Sequence, residues 1–190
     1  MKSEIRKELK LIRRAMEKTE VCEKSTKACR MFLESDLYKN ANVLMLYMPL
    51  GNETDTTDII NKAFADGKKV VFPVTDEASG EITPCYANAQ TEFEKGAFSV
   101  NEPTVLDVAE FDEIDVVIVP GIAFDKSGAR IGFGKGCYDG FLVKTKAIKT
   151  GFCYDFQLCE KIPTEEHDIK MDCIITENKT IICKKMNKSY

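Results

Sequence analysis

The chain has 190 residues, is 44% hydrophobic and 31% charged, and carries 27 Lys and Arg against 31 Asp and Glu. That length predicts one domain over residues 1–190 with its own core. A net charge of −4 excludes a global basic field, so nucleic acid is not an expected partner and any anion site must be local.

In chain order, Ile5, Leu9, Ile12 and Met16 share one face at helical spacing, while Lys2, Arg6 and Lys10 recur at i, i+4, i+8 on another. This predicts an amphipathic helix. Its basic stripe is either a solvated face or an arm that delivers cations to a phosphate. A second helix is expected over 20–33, a buried strand over 43–48, a helix over 55–66, and strands over 69–74, 82–86 and 116–119. A glycine-rich loop follows, then a helix over 138–147, a strand over 149–154, and two closing strands over 173–176 and 180–183. Alternating elements with continuous apolar strands predict an α/β fold with a largely parallel sheet covered on both faces.

No apolar run approaches the ~20 residues that a membrane-spanning helix needs. The charged residues 1–8 are not followed by the apolar core of a leader, so a cytoplasmic location is expected, with the eight cysteines as reduced thiols. No Cys-x-x-Cys pair is present and His167 is the sole histidine, which disfavours a structural zinc site. His167 itself, with no identifiable partner, is read as structural or solvent-exposed rather than as an acid or base.

The informative segment is Arg130-Ile-Gly-Phe-Gly-Lys-Gly-Cys-Tyr-Asp139. Gly132, Gly134 and Gly136 allow backbone conformations closed to other residues and can converge several N–H groups on a phosphate, with Arg130, Lys135 and a following helix N-terminus adding positive charge. The segment is neither a dinucleotide fingerprint nor a Walker A loop, since Cys137 replaces the third glycine of the first and Ala129 the first glycine of the second. A tight strand-to-helix connection would account for the glycines equally well. Asp139 is either an N-cap or, beside bound phosphates, a magnesium ligand with Asp168 as a second acid. No serine elbow is present, and Cys137 lacks a recognisable base.

Residues 119–125 (Val-Pro-Gly-Ile-Ala-Phe-Asp) and 130–139 resemble the hallmark region of the 5-formyltetrahydrofolate cyclo-ligase family, also called methenyltetrahydrofolate synthetases. The likeness extends to Lys-Ser-Glu-Ile-Arg at the N-terminus, 47–53, Asn-Glu-Pro at 101–103, and 166–172. It implies a three-layer α/β/α sandwich similar to the sugar-phosphate isomerase and CoA-transferase group. The implied reaction uses ATP. The formyl oxygen of 5-formyltetrahydrofolate attacks the γ-phosphate, and N10 of the folate then closes the ring, expelling phosphate to leave 5,10-methenyltetrahydrofolate.

By the same resemblance, ATP would meet Lys2, Arg6, Arg130, Gly132, Phe133, Gly134, Lys135, Gly136, Cys137 and Tyr138. Folate would meet Met48, Glu53 and part of 133–137 (Phe133, Gly134, Lys135, Gly136, Cys137), and magnesium would be held by Asp139 and Asp168. Such chemistry needs no protein nucleophile, because the substrate supplies both attacking atoms. The sequence departs from the family pattern at Cys137, where the first of two tyrosines is usual, at Gly140, and at Phe98-Ser-Val, where Phe-Gly-Ile is usual. The expected partners are small molecules, with neither nucleic acid nor membrane, and the expected state is a monomer or weak homodimer. The competing readings are a magnesium-nucleotide kinase or ligase acting on another small substrate, and a non-catalytic nucleotide or folate sensor.

Overall fold

The computed structural model describes residues 1–165 and 168–183. Helices α1 (Lys2–Ala15), α2 (Lys18–Leu33) and α3 (Asp36–Asn40) precede β1 (Val43–Met45), α4 (Thr57–Ala65), β2 (Lys69–Thr75) and β3 (Ile82–Ala87). There follow β4 (Phe93–Lys95), β5 (Asn101–Pro103), β6 (Val116–Val119), β7 (Ala123–Asp125), β8 (Arg130–Ile131) and α5 (Cys137–Leu142). Strands β9 (Ile148–Phe152), β10 (Leu158–Cys159), β11 (Cys173–Ile175) and β12 (Thr180–Ile182) close the chain.

The main sheet has the order β12-β11-β9-β6-β1-β2-β3. Its central strands β11, β9, β6, β1 and β2 run parallel, and β12 and β3 pair antiparallel at the edges. Alternate residues of the central strands serve opposite faces, as the pleat requires. Leu44, Val116 and Ile118 join Phe32, Ile59 and Ala63 from α2 and α4 on one side. Met45, Val117 and Val119 join Phe141 and Leu142 from α5 on the other. Burial on both faces explains the uninterrupted apolar runs, each fully buried Phe or Ile contributing roughly 1.5–3 kcal/mol.

A second, small sheet, β10-β7-β8, lies under α1. Leu9 and Ile5 pack there with Ile122, Ala123, Ala129 and Ile131, which fixes the roll of α1 and thus the direction of its basic stripe. No helix among the described residues is long and apolar enough to cross a membrane.

Several expected boundaries move. The strand expected over 43–48 ends at Met45. Beyond it the Tyr47 hydroxyl donates to the Thr54 carbonyl at 2.6 Å and the Thr56 hydroxyl to the Tyr47 carbonyl at 2.7 Å, folding 47–56 back on itself. The helix expected over 138–147 stops at Leu142. Thr145 diverts the chain there, its hydroxyl donating to the Phe111 carbonyl and accepting from the Ala147 N–H. Helix α3, the β4–β5 hairpin and the small sheet were not expected, being too short to show periodicity.

Candidate active site

The residues singled out above gather where the chain leaves the carboxyl ends of β1 and β6, the usual position for ligands on parallel sheets. The loop after β8 turns on its glycines. Gly134 has φ +107° and Gly136 φ +73°, conformations that side-chain-bearing residues rarely adopt. Gly132 is not in that region; a Cβ there would lie 3.0 Å from Arg130 Nη1, so its smallness serves close approach instead. Gly136, not Asp139, is the N-cap of α5, and Asp139 lies within the first turn. With six residues, α5 adds little dipole, so positive charge at the loop comes mainly from side chains.

Arg130 is buried at the base of the loop. Its Nη1 donates to the Pro120 carbonyl at 3.1 Å and its Nη2 to Asp139 Oδ2 at 3.0 Å, while its guanidinium faces the Tyr138 ring at 5.8 Å. Arg130 Nε and the Tyr138 hydroxyl are buried without a hydrogen-bond partner among the described residues. Lys135 lies 5.8 Å from the exposed Phe98 ring. Phe98 and Ser99 hold φ +56° and +63°, so Ser99 takes a left-handed conformation where the family usually places glycine. Cys137 is partly buried against the α5 side of the core.

Helix α1 delivers its stripe to this loop. Arg6 Nε donates to the Gly132 carbonyl at 3.0 Å, and Lys2 Nζ reaches Asp168 Oδ2 at 2.6 Å and Glu165 Oε1 at 3.4 Å. The hydrogen bond to Asp168 raises the Lys2 pKa against a smaller burial effect. Lys10 and Arg13 flank the half-exposed Phe133 ring at 5.3 and 5.4 Å. Burial, and to a smaller extent the neighbouring charges of Arg6, Arg13 and Arg14, lower the Lys10 pKa.

On the other side of Arg13 stands Glu53, 5% exposed, with Oε2 accepting from the Leu50 N–H at 2.9 Å and Oε1 3.6 Å from Arg13 Nη2. Burial raises the Glu53 pKa, opposed by the Arg13 charge and the Leu50 N–H. Arg13, Tyr47, Glu53, Thr54, Gly121 and Gln157 line a small cleft with no space for a water molecule. The Thr54 hydroxyl is buried without a partner among the described residues. Met48 is half-buried against the core beneath α2 and α4.

The fold thus joins Lys2 to Asp168, Arg6 to the loop backbone, Arg130 to Asp139 and Glu53 to Arg13. Asp139 and Asp168 are held by different cations, and among the described residues no three His, Cys, Asp or Glu side chains cluster as a metal site. Arg13 is absent from the residues anticipated, although it continues the stripe of Lys2, Arg6 and Lys10 by one further helical step. His167 and Glu166 lie outside the described residues.

Comparison with known proteins identifies the family. The model of the 5-formyltetrahydrofolate cyclo-ligase family matches residues 1–177. The 5-formyltetrahydrofolate cyclo-ligase of Escherichia coli (strain K12) is 34% identical over 145 residues, covering 73% of this chain and 80% of its own. The protein of the same description from Mus musculus is 27% identical over 187 residues, covering 92% of each. The solution structure of Aquifex aeolicus 5,10-methenyltetrahydrofolate synthetase superposes with a TM-score of 0.87 at 30% identity, covering 100% of this chain and 95% of that one. The chain belongs to the 5-formyltetrahydrofolate cyclo-ligase family.

Proposed function

We propose that this chain is an ATP-dependent ligase that converts 5-formyltetrahydrofolate into 5,10-methenyltetrahydrofolate, releasing ADP and phosphate. The observation that carries this reading is the docking of a basic helix on a glycine-rich loop, with Arg6 bonded to the Gly132 carbonyl in a chain of this family. In the reaction, the formyl oxygen bonds to the γ-phosphorus as the bond to ADP breaks. N10 then bonds to the formyl carbon and loses its proton, while the carbon–oxygen bond breaks and phosphate departs.

The chain's task is to position the reactants and offset charge. Lys2, Arg6, Arg130 and Lys135 would surround the polyphosphate, together with backbone N–H groups between Gly132 and Tyr138. Glu53 would accept from the N–H donors of the pterin, a task suited to a buried carboxylate whose charged form Arg13 favours against burial. Met48, with part of 133–137, would supply the apolar wall. The Tyr138 and Thr54 hydroxyls, buried without partners among the described residues, would be further donors to a ligand.

Asp139 and Asp168, with side chains 29% and 17% exposed, are hard oxygen donors that fit magnesium as part of a ligand set. Two carboxylates do not enclose the ion, so phosphate oxygens and water would complete the set. Magnesium held there would offset negative charge on the transferred phosphoryl group. The same reading expects a cytoplasmic enzyme acting on small molecules.

The test is to mix the protein with 5-formyltetrahydrofolate, ATP and magnesium and follow the near-ultraviolet absorbance of the methenyl product, omitting ATP and metal in turn. Product that requires both supports the reading. ATP turnover without folate dependence would move it to another small substrate.

A further inference from the structure

We propose that Arg13 is a positioning residue for the folate side of the reaction, tying the Glu53 carboxylate to the phosphate loop through the Phe133 ring. The proposal rests on the reading of Glu53 as a folate contact.

The guanidinium of Arg13 meets three segments distant in sequence. It lies 3.6 Å from Glu53 Oε1 in the loop after β1, donates through Nη1 to the Gly121 carbonyl after β6 at 3.4 Å, and stacks 5.4 Å from the centre of the Phe133 ring. Its side chain is 11% exposed, so these contacts replace water rather than add to it. The backbone is secured as well. Asn52 Nδ2 donates to the Arg13 and Met16 carbonyls at 3.0 Å each, clamping the end of α1 to the turn that carries Glu53. Leu9, one helical turn earlier, anchors α1 on the small sheet.

The pairing leaves Glu53 usable. Oε2 is occupied by the Leu50 N–H, but Oε1 faces Arg13 at a distance too long for a direct hydrogen bond and retains acceptor capacity for a ligand. The other ionisable groups facing this carboxylate are Tyr47, beyond β1, and Tyr138 of α5, while the Tyr154 hydroxyl sits on the Glu53 main-chain carbonyl at 3.1 Å. None of these supplies positive charge. Burial already raises the Glu53 pKa and Arg13 opposes it, so removing the guanidinium drives the carboxyl toward its protonated form. A protonated Glu53 loses acceptor strength toward pterin N–H groups, and Phe133 loses one of the cations that hold its ring.

The experiment compares wild type, Arg13→Met, Arg13→Lys and Glu53→Gln as full chains, measuring pH profiles of kcat/KM for 5-formyltetrahydrofolate and, separately, KM for ATP. Arg13→Met is expected to raise the folate KM about tenfold or more and move the acid limb to higher pH, with KM for ATP within about threefold of wild type. Arg13→Lys, which restores the charge, is expected to return the limb toward wild type. A purely structural role would lower activity without moving the limb, and an unmoved limb in Arg13→Met overturns the proposal. So does a rise in KM for ATP equal to that for folate. Glu53→Gln with an unchanged folate KM overturns the reading of Glu53 and the proposal with it. A raised folate KM in Glu53→Gln with an unmoved limb in Arg13→Met overturns the Arg13 role alone. Should Arg13→Met not fold, Arg13→Gln is read by the same criteria.

Discussion

The segments 121–129 and 132–139 flank Arg130 and Ile131 and are equally diagnostic of the family, yet they are built for opposite ends. In the first, Ile122, Ala123, Phe124, Asp125 and Ala129 are buried. Asp125 accepts from the Ser127 hydroxyl at 2.7 Å and from the N–H groups of Ser127, Ala129 and Ile162 at 2.8, 3.2 and 2.7 Å. In the second, Phe133 is 42% exposed and two glycines hold left-handed conformations, and neither its buried Tyr138 hydroxyl nor the adjoining Arg130 Nε has a hydrogen-bond partner among the described residues. The first segment satisfies its polar groups internally and is scaffold. The second leaves donors unspent for a ligand, which is what a binding loop requires.

That contrast breaks most sharply at the acidic residue of each segment. Asp139→Asn is expected to lower kcat by roughly 10²–10³-fold, because it removes a proposed metal donor and the charge facing Arg130. Turnover measured against magnesium concentration, with circular dichroism as the folding check, tests this, and wild-type turnover would remove Asp139 from the chemistry.

Asp125→Ala should do the reverse, costing about 3 kcal/mol of stability by stranding buried donors while the folded fraction keeps its kcat. Urea titration beside activity per folded molecule measures it. Burial opposes ionisation of Asp125, but its hydrogen bonds outweigh burial and hold its pKa below the ordinary value. A depressed acid contributes stability above its unfolded pKa of about 3.9 and loses it as pH falls through the folded pKa. The stability gap between wild type and Asp125→Asn should therefore narrow in acid. A gap that does not vary with pH would mean the charge is not what organises the turn.

Smaller effects sharpen the comparison further. A Cβ on Gly136 meets nothing within 4 Å, so Gly136→Ala reports backbone strain alone, about 1–2 kcal/mol, expressed as a raised KM for ATP. Unchanged KM and melting temperature would show that the left-handed turn is dispensable. Ser99→Gly, which relieves φ +63°, should stabilise by about 0.5 kcal/mol after the entropy cost of glycine, seen as a small rise in melting temperature.

Legibility in the sequence followed burial and length. The apolar run Val116–Val119 is a strand as expected because both its faces are covered, which demands unbroken apolarity. Strands of two residues such as β8 and β10 carry no period, and their existence depends on a ladder whose partner lies elsewhere in the chain. At the site, the stripe of Lys2 and Arg6 was visible because helical periodicity repeats every turn. Arg13 was not anticipated, since its significance comes from Glu53, Gly121 and Phe133, none of them near it in sequence.

By itself the sequence determined the alternation of helices and strands, the basic face of the first helix, the glycine loop and the family to which they belong, because each is a local pattern. Only the tertiary structure decided that Gly136 rather than Asp139 caps α5 and that Arg130 neutralises Asp139. It also decided that a buried Glu53 faces the guanidinium at the far end of α1. Those are facts of distance and dielectric, set by which surfaces the sheet brings together, and no spacing along the chain encodes them.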